Sequence, residues 1–125
     1  MVLDDYYRRI DSADPLSVVE LFVEDVRCCM VIDGVVARAE SKTQWEELVR
    51  ARPPERKDVR HVVLARFRDS SQESVAGIVV SPAGPVGSFM SHAVVDGRMI
   101  KRYSMIFTSE TQLFPAELFG ASDQV

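Results

Sequence analysis

The periodic segments in the first half of this chain repeat like helices, and most of those in the second half repeat like strands. An amphipathic helical pattern runs from Asp4 to Val23 and a short one surrounds Trp45. Runs dense in β-formers then occupy Val59 to Val80 and Ser88 to Thr108. Helices first and meandering strands afterwards, within 125 residues, restrict the chain to an α+β fold with helices on one face of a curved antiparallel sheet. A sheet of that kind encloses a pocket. The length suits one domain spanning residues 1–125, with no repeat or low-complexity stretch to suggest a second.

The first helix is expected from about Val2 to Ser12, because Leu3, Tyr6, Tyr7 and Ile10 recur at helical spacing. Asp14 is expected to cap a second helix, with Pro15 in its first turn, where a missing N–H costs nothing. Leu16, Val19, Phe22 and Val23 would form its buried stripe. Val26 to Ile32 reads as a short strand, Asp33-Gly34 as a turn, and Val35 to Ala39 as the returning strand. Ser41 with Gln44 three residues on makes a capping box. The helix it opens turns Trp45, Leu48 and Val49 inward and stops before Pro53-Pro54, and Pro53 to Asp58 reads as a charged loop.

Val59 to Arg68 carries the clearest strand alternation, which puts His61, Val63, Ala65 and Phe67 on one face. Asp69 to Glu73 reads as a turn, Ser74 to Ser81 as the partner strand, and Pro82 to Gly87 as a loop. Ser88 to Val95 and Arg98 to Thr108 form a hairpin about Asp96-Gly97. Ser88, Met90, His92 and Val94 share a face, and His92 is expected on the dimer-facing or solvent side. The partly apolar tail after Glu110, with Leu113, Phe114, Leu118 and Phe119, is expected to act as a lid or a subunit contact.

Composition removes several functions. The net charge is −4, and twelve arginines and three lysines are scattered among acids without a basic stripe. Nucleic acid and anionic membranes are therefore not expected as partners. No apolar run approaches the roughly 20 residues of a membrane span, and Asp4, Asp5, Arg8, Arg9 and Asp11 interrupt the place of a signal peptide. The only cysteines, Cys28 and Cys29, are adjacent. A disulfide between neighbours is strained, so two buried thiols in a reducing cytoplasm are expected. Two histidines without ligand spacing predict no metal site, and no glycine run or nucleophile elbow points to a phosphate cradle or a serine nucleophile. No cofactor is expected.

The order of elements resembles the nuclear transport factor 2-like superfamily, in particular its SnoaL-like branch, from roughly Asp5 to Thr108. The marks are the helix break at Asp11-Ser12-Ala13-Asp14, the following Val19-Glu20-Leu21-Phe22-Val23-Glu24-Asp25-Val26, Arg60-His61-Val62-Val63 opening a long strand, and Asp96-Gly97-Arg98 before the last one. The resemblance implies a cone-shaped α+β barrel, with N-terminal helices packed on the concave face of the sheet. It also implies a pocket for a hydrophobic small molecule and a homodimer through the sheet. The superfamily holds polyketide cyclases, ketosteroid isomerases, scytalone dehydratase, epoxide hydrolases and non-catalytic binding modules, so fold alone does not choose a reaction.

Carried over residue by residue, the resemblance puts Tyr6 at the place of an isomerase tyrosine. The isomerase base falls near Met30 and the second oxyanion donor near Ser91, and neither side chain can do that work. Asp11 and His61 match the aspartate and strand-opening histidine of scytalone dehydratase-like members. Their second histidine would fall near Val80 or Ser81 and is absent. No Asp-Arg-Asp set of the limonene epoxide hydrolase type is found.

Asp11 and His61 are thus the expected acid–base pair, since a carboxylate on one imidazole nitrogen fixes the tautomer and raises the basicity of the other. Tyr6 is the expected hydrogen-bond donor, and Tyr7, Trp45, Phe67 and Met30 are expected to contact substrate. The reaction would be a dehydration, isomerisation or cyclisation of a hydrophobic oxygenated molecule. The alternative is a non-catalytic ligand-binding or dimerisation module, with His61 bonding the end of the first helix. An enzyme of this kind requires a cavity of some hundreds of Å³ reached by both Asp11 and His61.

Overall fold

The computed structural model describes residues 1–53, 58–111 and 113. Helix α1 (Val2–Ile10) is followed by a 3-10 helix (Pro15–Leu21), strands β1 (Phe22–Ile32) and β2 (Val35–Ala39), and helix α2 (Lys42–Arg50). Strands β3 (Arg60–Arg68), β4 (Gln72–Ser81), β5 (Gly84–Asp96) and β6 (Met99–Thr108) complete the order. The six strands form one sheet in the order β2-β1-β6-β5-β4-β3. This is the expected α+β cone, with two corrections. The sheet is mixed, because β1 and β6 run parallel while the other pairs are antiparallel. It is also open, with β2 and β3 as edges rather than a closed barrel. The chain reaches β6 from β1 only after crossing the whole sheet, so the hairpin rule that governs neighbouring strands does not apply to that pair.

Helix α1 buries Leu3, Tyr6, Tyr7 and Ile10, the i, i+3, i+4, i+7 face of an amphipathic helix. Its N-terminus is capped from a distance. Glu73 of β4, only 2% exposed, accepts the backbone N–H of Val2 at 3.0 Å and of Leu3 at 2.8 Å. A carboxylate on these otherwise unpaired donors also meets the positive end of the helix dipole. The second helical segment is a single 3-10 run, and Phe22 and Val23 open β1 instead of closing that helix. Ser41 Oγ accepts the Gln44 N–H at 3.1 Å, as read, while Gln44 Oε1 reaches one residue past the N-cap and accepts the Glu40 N–H at 2.7 Å.

Asp33 and Gly34 take φ of 48° and 84°, both positive as a two-residue hairpin turn requires. Asp33 also accepts the Ser109 N–H and hydroxyl, each at 2.8 Å, which ties the chain after β6 to that turn. The segment read as a Pro82–Gly87 loop is a tight hairpin instead, with β5 already paired to β4 at Ser81↔Gly84. Gly84, at φ 127°, permits that early return.

The core lies between the helices and one face of the sheet, and Trp45, Tyr103, Phe22, Phe89 and Leu3 are its largest fully buried side chains. A bulge in β3 between Val63 and Ala65 decides which β3 residues reach it. Opposite the bulge, a Cβ on Gly77 would lie 1.9 Å from the Val62 carbonyl oxygen, so only glycine lets β4 approach β3 there.

Candidate active site

The end of α1 and the start of β3 meet at two side chains. Asp11, the C-cap residue of α1, points both carboxylate oxygens at His61. Oδ1 lies 2.8 Å from the ring Nδ1 and Oδ2 accepts the His61 backbone N–H at 2.6 Å. Both side chains are 13% exposed. With Nδ1–H donated to a carboxylate, the neutral ring keeps its lone pair on Nε2. The ring is packed by Tyr7, at a centroid distance of 4.7 Å, and by Phe89, edge-on at 5.0 Å.

His61 forms part of the wall of an apolar cavity of about 70 Å³ between the helices and the inner face of the sheet. Tyr6, Tyr7 and Ile10 of α1, Trp45, Leu48 and Val49 of α2, and Met30, Ile32, Tyr103 and Met105 of the sheet complete most of the lining. The Tyr7 and Tyr103 hydroxyls are 2.8 Å apart, and the Tyr6 ring lies 4.8 Å from that of Tyr103. Burial pushes the Tyr7 phenol up to about 12, and pushes Tyr6 and Tyr103 well above their ordinary value. These phenols therefore stay protonated and available as donors across the physiological range. Trp45 is 1% exposed, and its indole N–H has no acceptor among the described residues.

The expected site residues divide three ways. His61, Tyr6, Tyr7, Trp45 and Met30 come together on the cavity wall. Asp11 does not line the cavity; it stands behind His61. Phe67 is on the opposite face of the sheet and 78% exposed. The β3 bulge inserts Leu64 between Val63↔Gly77 and Ala65↔Ala76, and one extra residue reverses every later side chain. His92 also faces outward, its Nε2 2.8 Å from Gln72 Oε1. Tyr103, one of the aromatics whose type suits a pocket lining, is on the wall, and Met105 joins it two residues along the same face of β6. Arg52 had no signal at all: it follows α2, donates to the Ile10 carbonyl at 3.4 Å and brings a guanidinium to the cavity wall. Of the tail, Phe114, Leu118 and Phe119 lie outside the described residues.

No family model matches the chain, and no curated protein matches it in sequence. Solved structures do match in fold. One is a candidate isomerase of the SnoaL-like family from Agrobacterium tumefaciens, 13% identical, with a TM-score of 0.69 over 85% of this chain and 93% of that one. Another is a candidate polyketide cyclase from Sinorhizobium meliloti, 19% identical, with a TM-score of 0.62 over 83% and 92%. A third is a ketosteroid isomerase-like fold from Catenulispora acidiphila in complex with trimethylamine, 13% identical, with a TM-score of 0.66 over 93% and 95%. Among the described residues no helix is long and apolar enough to cross a membrane. The chain has the nuclear transport factor 2-like α+β cone in the form shared by SnoaL-like and ketosteroid isomerase-like structures.

Proposed function

We propose that this protein binds a small, apolar, oxygenated molecule between its helices and sheet and moves a proton on it with its own side chains. The carrying observation is the Asp11–His61 dyad, whose ring shares a cavity wall with the hydrogen-bonded phenols of Tyr7 and Tyr103. Asp11 is the positioning residue, holding the His61 ring in one tautomer. His61 Nε2 takes a proton next to a carbonyl or from a hydroxyl-bearing carbon chain. A protonated phenol, Tyr6 or Tyr103, donates to the oxygen on which charge develops. The reaction class is an isomerisation, dehydration or cyclisation. The cavity, about 70 Å³, is roughly half the ~150 Å³ that takes a benzene ring, so the ligand is small. The unpaired Trp45 N–H favours a ligand that carries an acceptor oxygen.

The cavity does not meet the condition set from the sequence, some hundreds of Å³ reached by both Asp11 and His61, and this favours a second reading. Its volume is far below the several hundred Å³ of sites for larger ligands, and Asp11 does not reach it. A non-catalytic module would keep His61 as the strut that ties α1 to β3. In either reading a homodimer forms through the apolar part of the outer face of the sheet. An apolar row crosses that face through Val36, Val31, Ile106 and Met90, which are register partners across β2, β1, β6 and β5, and Val36, Ile106 and Met90 are about half exposed or more. Two thiols and no disulfide at Cys28 and Cys29 suit a cytoplasmic location.

The test is NMR of the His61 ring in the wild type and in Asp11→Asn, with a panel of small ketones and alcohols. The acid–base reading expects His61 signals that move with ligand and a tautomer that depends on Asp11. A ring indifferent to every ligand would leave the binding module alone standing. For the dimer, Met90→Lys with Ile106→Lys should halve the mass seen by sedimentation, and an unchanged mass would reject this face.

A further inference from the structure

Three arginines that are far apart in sequence meet on the outer face of the sheet, opposite the His61 cavity. Arg27 is the register partner of Arg102 across the parallel β1–β6 pair. Cys29, two residues further along the same face of β1, pairs with Arg38 on β2 and with Ser104 on β6. Arg27, Arg38 and Arg102 all line a concave cleft of about 270 Å³ to which Cys29 and Ser104 also contribute. The cleft contains none of the residues of the apolar row.

The charge in the cleft is not balanced within its own lining. Glu40, 3.5 Å from Arg27, is the one acid on its lining, and Arg38 and Arg102 make no ion pair among the described residues. Three guanidiniums against one carboxylate leave an excess of two positive charges. The chain as a whole carries −4, so this concentration runs against its balance. Like charges directly across neighbouring strands oppose pairing, and nothing in the fold requires Arg102 to face Arg27. Guanidiniums present a planar fork of donors that suits phosphate oxygens.

We propose that this cleft binds a dianionic phosphate monoester, held by Arg27, Arg38 and Arg102 with the Ser104 hydroxyl as a further donor. The site is independent of the His61 cavity. Tyr103 separates the two, facing inward while its neighbours Arg102 and Ser104 face the cleft.

The test is an amide-resolved NMR titration of the full chain with phenyl phosphate at constant ionic strength, alongside sodium chloride and benzoate. Saturable shifts centred on Cys29, Arg38 and Ser104, absent with chloride and much weaker with benzoate, are expected. Arg38→Gln with Arg102→Gln should weaken binding roughly tenfold to a hundredfold, as loss of charge-assisted hydrogen bonds implies. The same variant should keep its melting temperature or raise it, because a like-charge pair is relieved. Equal responses to chloride and phosphate, or undiminished binding in the variant, would overturn the proposal. So would self-association lost in the variant without any phosphate effect in the wild type, which would make the arginines a contact between copies.

Discussion

Asp11 holds His61, fifty positions further along the chain, at two points at once, ring and backbone. The bond to the backbone N–H fixes where β3 starts relative to the end of α1, and the bond to Nδ1 fixes the ring. One carboxylate therefore sets both the position of β3 against α1 and the orientation of the His61 ring.

Replacing Asp11 should reveal both roles. An Asn can accept from only one of the two donors, and its amide N–H₂ would face Nδ1 if its oxygen keeps the backbone bond. The ring proton would then move to Nε2 and take the lone pair assigned to it in the proposed function. Asp11→Asn is expected to cost about 1–3 kcal/mol in urea unfolding and to reverse the ¹⁵N shift pattern of the His61 ring. Any turnover should fall by roughly a hundredfold or more. His61→Gln should lose turnover equally while costing less stability.

Glu73 supports the same frame from the other end of α1. Glu73→Gln keeps one acceptor oxygen and loses the charge that faces the helix N-terminus, so a loss of about 1 kcal/mol is expected, and about 2–3 kcal/mol for Glu73→Ala. Hydrogen exchange should show the loss as faster opening of the first turn of α1. Uniform acceleration along the whole chain would instead indicate a global effect.

Two phenylalanines on opposite faces of the sheet should differ sharply. Phe67→Ser, at a position 78% exposed, is expected to change monomer stability by no more than about 0.5 kcal/mol. Phe89→Ala, at 1% exposure and against both Tyr7 and His61, should cost about 3–5 kcal/mol. Denaturant titrations of the two variants side by side check the face assignment. Equal losses would place Phe67 in the core.

Alkaline pH should destabilise this protein through its buried phenols and its buried thiol. Burial pushes Tyr7 and Cys28 up to about 12, and Tyr6 and Tyr103 well above the ordinary 10.0 of a phenol. In the unfolded chain these groups ionise near their ordinary values, so the folded state binds more protons from there upward. Stability then falls with rising pH. The contribution of these groups is complete below pH 9.0, the ordinary thiol value, and is lost progressively toward about 12. Phenolate absorbance and circular dichroism should change together, and Tyr7→Phe should make the decline shallower.

The sequence by itself determined whatever depends on neighbours along the chain. The buried stripe Leu3, Tyr6, Tyr7 and Ile10, the cap at Ser41, the Asp33-Gly34 turn and the alternation of β5 and β6 are all local, set by dihedral preferences and side-chain period. The Asp11–His61 pair was reached by likeness to a family, since no spacing rule links positions so far apart. Tertiary structure decided the rest. Parallel pairing of β1 with β6, the Gly77 approach that accompanies the β3 bulge, and the meeting of Arg27, Arg38 and Arg102 depend on which strand lies beside which. A single extra residue at Leu64 sent Phe67 to the wrong face for a pocket, because period-2 alternation carries no memory across a bulge. Local periods report which way a side chain points relative to its own element, and only the ladder of hydrogen bonds between distant strands says what it then meets.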